Sequence, residues 1–404
     1  MNDDLDLLSP QHVANPFPLY RELRENAPVY WSERLQGWLL TRADDVGQWL
    51  EDGRFSANRT HLFAKHQLRG MDPAVMKDYL RLTSSMIVMQ DGAQHDRLRK
   101  QEDRALCPAH VDHWSPALRR IMNELLDRVQ VQRSMEFVAD VAEPLPSLLL
   151  TDIFGIPAED RHDFQRWADD ATAFFAVTPA NVEAVAARAN AGMVALERYI
   201  TALIATRREH PGRDPISSFI EAERSGAIST QELVANCVHM LIVGHVTSIA
   251  QLSNGIYELL RHPQALSLLR RNPELMANAV EETVRFSPAV HFTHRIATED
   301  VRIRDKTIEK GQIAFFGIAS AARDPSLVPN PDEFDITRAN GRPIAFGAGP
   351  HSCAGLHLGR RELAVGYELL LERMPELRVD ETEVPLRRAN GLTFRGFARL
   401  ALRF

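Results

Sequence analysis

The sequence predicts a mainly α-helical protein with small β-sheets, an α+β arrangement held in one large domain over residues 1–404. Three observations carry that expectation. A proline-free stretch runs from Ser229 to His262, helical spacing of apolar residues dominates from about Asp44 onward, and extended runs are few and short. At 404 residues the chain is long enough for two or three domains, yet no linker, repeat or low-complexity tract divides it. With 45% apolar residues and a net charge of −7 from 47 basic and 54 acidic groups, it can bury a large core and carries no general nucleic-acid footprint.

The first fourteen residues read as a loose segment without a basic leader or membrane-spanning run, so an unanchored, cytoplasmic protein with no membrane partner is expected. Val29–Trp31 and Trp38–Thr41 flank Gly37 and predict a small hairpin. Between Gly192 and Arg208 the residues Met193, Leu196, Ile200, Leu203 and Ile204 recur at helical spacing until His210-Pro211-Gly212 stops them. Ser229 with Glu232 three residues later is a capping-box signature. The helix it opens is about 45 Å long and apolar on nearly every side at Leu241–Val246, which predicts a central, buried course. A shorter helix is expected from about Glu274 to Phe286, then strands at Val301–Arg304 and Ile313–Phe316, a Pro- and Gly-rich stretch over 323–352, and a last helix from about Ala354 to Arg373.

Three cysteines are too few and too odd in number for a disulfide framework, which points to a reducing compartment. Cys107 and Cys237 read as small packing residues. Cys353 differs, because it stands at the mouth of a helix in Phe346-Gly347-Ala348-Gly349-Pro350-His351-Ser352-Cys353-Ala354-Gly355. Glycines there permit positive φ and close backbone approach, and a helix N-terminus favours a thiolate.

That ten-residue pattern resembles the haem-binding loop of the cytochrome P-450 family, in its soluble bacterial form. By the resemblance the fold is a single P-450 domain with its long central helix over haem b (iron protoporphyrin IX), and Cys353 is the axial thiolate ligand of the iron. His351 becomes a propionate partner and Phe346 packs beside the sulfur. Glu282 and Arg285 match the family's Glu-x-x-Arg on one helix face, and Arg338, in Phe334-Asp335-Ile336-Thr337-Arg338, completes their ion-pair network. His95 and Arg99, four residues apart, and the strand-region Arg295 are the remaining propionate partners.

The long helix departs from the family at Val246, where an acid usually precedes the threonine. His245 lies about 200° around the helix from Thr247 and should not replace that acid, whereas Met240, Val243, Gly244, Thr247 and Gln251 share a face. Gly244 is expected to leave room for haem and dioxygen, and Thr247, with water and Gln251 or a substrate hydroxyl, to deliver protons. The resemblance makes the segment from about Thr60 to Met89, with His61, Phe63, His66, Met71, Met76, Met86 and Met89, a lid on the substrate pocket. Val243, Val246, Val290 and Phe292 join that pocket, which suits a medium-sized, largely apolar small molecule, free or tethered to a carrier protein.

No dinucleotide or flavin fingerprint appears, so a separate ferredoxin or flavodoxin with its reductase is implied. Lys100, Arg104, Arg360 and Arg361 could form the patch that steers it. The activity implied is a haem-thiolate monooxygenase of secondary metabolism that hydroxylates or epoxidises its substrate. Two alternatives stay open: the same site diverted to desaturation, rearrangement, oxidative coupling or peroxide-driven chemistry because of Val246, and a non-catalytic haem-thiolate binder.

Overall fold

The computed structural model describes residues 7, 9–60, 72–174, 182–339, 344–388 and 392–404. Among them the helices of nine residues or more are, in chain order, α1 (Phe17–Asn26), α2 (Ala43–Glu51), α3 (Gly92–Ala105), α4 (Pro108–Gln130), α5 (Pro144–Ile153), α6 (Arg161–Ala173), α7 (Val182–Glu209), α8 (Pro215–Arg224), α9 (Thr230–Arg261), α10 (Pro263–Arg271), α11 (Met276–Phe286) and α12 (Leu356–Arg373). Helix thus dominates, as the sequence pattern predicts. Where the first fourteen residues read as a loose segment, Pro10–Ala14 forms a short helix capped by the Ser9 side chain, which accepts from the His12 N–H.

The chain groups into two compact units, each assembled from separate segments: Met1–Ser56, Leu118–Leu145 and Thr247–Phe404 in the first, Ala57–Ala117 and Pro146–Val246 in the second. Among the described residues every strand lies in the first unit. Strands β1 (Val29–Ser32), β2 (Gly37–Leu40), β3 (Phe55–Ser56), β5 (Phe292–Ala297) and β8 (Ile313–Gly317) form one sheet in the order β1-β2-β8-β5-β3, and β4 (Ser134–Glu136) belongs elsewhere. The predicted hairpin is β1 with β2, closed by four residues of which Gln36 takes φ 49°. Beside it β2 runs parallel to β8, Leu39 opposite Phe315. The two strands expected near 301 and 313 do not pair with each other: β6 (Val301–Ile303) turns back on β7 (Lys306–Ile308), while β8 enters the main sheet.

Alternating side chains bury both faces of this sheet. One face packs Val46, Trp49 and Leu50 of α2 against Phe55 and Phe316. The other packs Leu19, Tyr20 and Leu23 of α1 against Leu39, Phe292 and Ala319.

The second unit is helical. Its α7 begins at Val182, ten residues before the expected start, and buries Met193, Leu196, Ile200 and Ile204 on one stripe. Helix α9 passes through both units. Its predicted capping box is present in full: Ser229 Oγ accepts from the Glu232 N–H at 3.2 Å, and the Ser229 N–H donates to Glu232 Oε2 at 2.8 Å. The carboxylate of Glu232, also bound by Arg97 of α3, is held down to a pKa of about 2, chiefly by that arginine. Among the described residues α9 is the one helix long and apolar enough to cross a membrane. Because 72% of its most apolar stretch is buried, it is a core helix.

Candidate haem-thiolate site

The loop before α12 is built by its own backbone. A short 3-10 turn at Ile344–Phe346 closes with the Gly347 N–H on Ile344 O at 2.8 Å, Ser352 N–H reaches Gly349 O at 3.1 Å, and Cys353 N–H reaches Phe346 O at 2.9 Å. These bonds fold the segment back so that the Cys353 thiol is exposed. Gly347 and Gly349 take φ of 80° and 69°. A Cβ on Gly349 would also stand 2.9 Å from the carbonyl oxygen of Leu50. Gly349→Ala should therefore cost about 2 kcal/mol and shift the urea midpoint down, while Gly359→Ala, with nothing within 4 Å of its Cβ, should not. Helix α12 starts at Leu356 with Gly355 as N-cap, two residues later than the sequence pattern suggests, so Cys353 lies just outside the helix. Cys237, by contrast, is fully buried, which pushes its thiol pKa up, and Cys107 is partly buried.

The structure brings Glu282, Arg285 and Arg338 together. Glu282 is fully buried and accepts two 2.7 Å bonds from Arg285 Nε and Nη2. Arg338 Nε stands 3.6 Å from Glu282 Oε1, and the Asp335 N–H donates to the same oxygen at 2.8 Å. Both guanidiniums spend their other donors on carbonyls of the segment ahead of the loop: Arg285 on Ala322, Pro331 and Glu333, Arg338 on Pro329, Asn330 and Glu333. One carboxylate thereby organises residues 322–338, the polypeptide that leads into the cysteine loop.

On α9 the residues left open are Val243, 42% exposed, and the partly buried Gly244, Val246, Thr247 and Ser248. His245 is buried and its Nε2 lies 3.4 Å from Asp169 of α6, so it points away from that face as its helical angle requires. Three expectations need correction. Gln251 is no relay: its Nε2 donates to Thr283 O and Ser287 O and its Oε1 accepts from the Ala289 N–H, which fixes the end of α11 to α9 and leaves no donor over. Phe292 does not line a pocket, because it is 1% exposed and its ring packs edge-on against Tyr20 at 5.5 Å in the core under the sheet. Met76, Met86 and Met89, each at 1% exposure or less, are packed core of the second unit. Val290 is partly buried and bridges to Phe394. His61, Phe63, His66 and Met71 lie outside the described residues.

Of the remaining cationic candidates, Arg295 sits on β5 at 5% exposure with Nη1 bonded to Thr293 Oγ1 and His294 O, and His351 is partly buried in the loop. His95, 2% exposed, and Arg99 stand one turn apart on α3 in the second unit, next to Asp96 and Asp103 respectively.

A family model for cytochrome P450 matches residues 62–394. The chain belongs to the cytochrome P450 family. It is similar to the biotin biosynthesis cytochrome P450 of Bacillus subtilis (strain 168), 33% identical with 98% of each chain covered. It also resembles the nocardicin C N-oxygenase of Nocardia uniformis subsp. tsuyamanensis, 34% identical with 92% of each covered. Among solved structures, P450BioI in complex with an acyl carrier protein carrying hexadec-9Z-enoic acid matches at TM-score 0.89 and 31% identity, covering 98% of this chain and 100% of that one. The P450 fold, a haem-thiolate cofactor and an oxygenase activity follow from this membership.

The residues present fit that cofactor. An exposed thiol sits on a loop whose two positive-φ glycines keep side chains out, and α9 carries an open face at Val243, Gly244 and Thr247. The expected electron-partner patch needs one correction, since Arg360 is paired with Glu281 through Nη2 at 3.0 Å and its guanidinium lies over the Phe346 ring at 5.2 Å. Arg104 likewise stands 3.4 Å from Glu221.

The sequence pattern missed Glu362 of α12. It is 5% exposed and accepts a 2.6 Å hydrogen bond from Ser248 Oγ, the residue after Thr247. Burial pushes its carboxyl up to about 7. The legible signal was a glutamate within the stripe Glu362, Gly366, Leu369 and Leu370, all buried.

Proposed function

We propose that this chain is a haem-thiolate monooxygenase in which Cys353 ligates the iron and Arg295, His351, His95 and Arg99 receive the propionates. The observation that carries the reading is the exposed Cys353, whose backbone N–H is held by the Phe346 carbonyl just ahead of α12. When bound, the haem supplies dioxygen binding and reduction, with the thiolate's electron density favouring O–O cleavage. The protein's part is to fix the sulfur, to keep the α9 face at Gly244 open, and to place the Thr247 hydroxyl beside it. The reduced carbon monoxide complex should show the thiolate-type Soret shift, and a spectrum of the histidine type would refute the assignment. Thr247→Ala should raise the share of reductant lost to hydrogen peroxide about tenfold, and unchanged coupling would exclude Thr247 from proton delivery.

The substrate is a medium-sized, largely apolar small molecule, and Val243 and Val246 on the open face of α9 support that reading. Relatives named for biotin, polyketide and nocardicin biosynthesis support a place in secondary metabolism, and the acyl carrier protein complex of P450BioI supports a carrier-tethered substrate. Electrons come from a ferredoxin or flavodoxin with its reductase, and the protein works in the cytoplasm. Val246 favours a second reading, in which the same site runs desaturation, rearrangement, oxidative coupling or peroxide-driven chemistry. Comparing products made with an electron-transfer system and with peroxide alone separates the two.

A further inference from the structure

A cavity of about 420 Å³ lies between the end of α1, the start of α2 and the segment 324–332. Small-molecule sites run from roughly 300 to 1,000 Å³, so this one can hold a small ligand. Its charged lining is balanced, with Arg21, Arg24 and Arg42 against Glu25, Asp324 and Asp332.

Most of these charges are engaged. Asp332 pairs with Arg21 and, at 3.3 Å, with Arg323. Asp324 accepts the Ala43 N–H on Oδ2 and the Ser326 N–H on Oδ1, both at 2.9 Å. Arg24 and Glu25 differ. Arg24 is 7% exposed and donates only through Nη1, to the carbonyl and hydroxyl oxygens of Ser320 at 3.0 and 3.1 Å. Its Nε and Nη2 have no hydrogen-bond partner among the described residues, and Glu25, exposed on the same helix, has neither hydrogen bond nor ion pair among them. The Nε/Nη2 edge is the one that takes a carboxylate elsewhere in this chain, in Arg285 on Glu282 and in Arg54 on Asp52.

We infer that this pocket binds a small amino acid, its carboxylate on the Nε/Nη2 edge of Arg24 and its ammonium on Glu25. A zwitterion suits a lining whose charges cancel, whereas a phosphate dianion meets three carboxylates. Burial lowers the pKa of Arg24, with the nearby Asp324 opposing, so a carboxylate on its unpaired edge stabilises a desolvated charge. Arg42, whose Nε is buried with no hydrogen-bond partner, adds a second cation to the wall.

All of these residues belong to the first unit, and the inference does not depend on the monooxygenase reading. The ligand bridges α1 to a segment that already holds the start of α2, through the Asp324 bond to Ala43 and the 2.8 Å bond from Ser320 Oγ to Thr41 O.

Equilibrium dialysis of isotope-labelled glycine, β-alanine, acetate and inorganic phosphate against the haem-loaded protein, at fixed pH and ionic strength, tests the site. Glycine, β-alanine or both should saturate at one per chain, with acetate and phosphate at least about tenfold weaker. Arg24→Lys should weaken amino-acid binding about tenfold, because an ammonium offers no paired edge to a carboxylate. Glu25→Gln should weaken it by about the same factor without weakening acetate, and its exposed position keeps the test usable if Arg24→Lys loses its fold. The Soret band should stay in place throughout. No saturable amino-acid binding, acetate or phosphate bound as tightly, an affinity unchanged in Glu25→Gln, or binding that moves the Soret band overturns the inference.

Discussion

Glu282→Ala should destabilise the protein by about 3–5 kcal/mol, the cost of removing one partner from a buried ion pair. Glu282 has no exposed surface and accepts two hydrogen bonds from Arg285 and one from the Asp335 N–H, with the Arg338 guanidinium 3.6 Å away as a second cation. Truncating it leaves two guanidiniums buried with no carboxylate between them, each still tied to backbone carbonyls of residues 322–333. Because these carbonyls belong to the segment leading into the cysteine loop, the loss should appear twice: a lower urea midpoint, and weaker haem retention measured by gel filtration. Arg285→Lys alone should also destabilise, since an ammonium cannot make both 2.7 Å bonds to Glu282 and still reach Pro331 O and Glu333 O. A Glu282→Ala protein within 1 kcal/mol of the wild type would show that the network is dispensable.

That network was legible in the sequence because its logic is local. Glu282 and Arg285 are one helical turn apart, and Ser229 with Glu232 announces α9 within four residues. The cysteine loop was legible because glycines at positive φ leave a written trace. What stayed hidden depends on partners far along the chain. The Gln251 amide is consumed by backbone groups 32 to 38 residues away, and Phe292 is claimed by an N-terminal helix through Tyr20. Helical periodicity places a side chain on a face but does not say what waits there. Met86 and Met89 illustrate the same limit: a methionine suits an adaptable pocket wall and a packed core equally well, and burial at 1% decides for the core.

Glu362→Gln should make the protein more stable at alkaline pH and change it little in acid. An ordinary glutamate titrates near 4.5, whereas Glu362 is raised to about 7, with burial the larger cause and the Ser248 bond opposing it. Between those values the folded state holds a proton that the unfolded state releases. The stabilisation is therefore fully present below pH 4.5 and is lost as pH rises through about 7, a swing of about 3 kcal/mol. Glutamine keeps the side-chain length and an oxygen to accept from Ser248, yet it cannot ionise, so it escapes this loss. The Tm of Glu362→Gln should exceed that of the wild type at pH 8, and the two should converge toward pH 5. A difference that does not vary with pH would mean that Glu362 does not titrate in this range. If the gain is found, the chain retains a buried acid, hydrogen-bonded to Ser248, where a neutral isostere folds better.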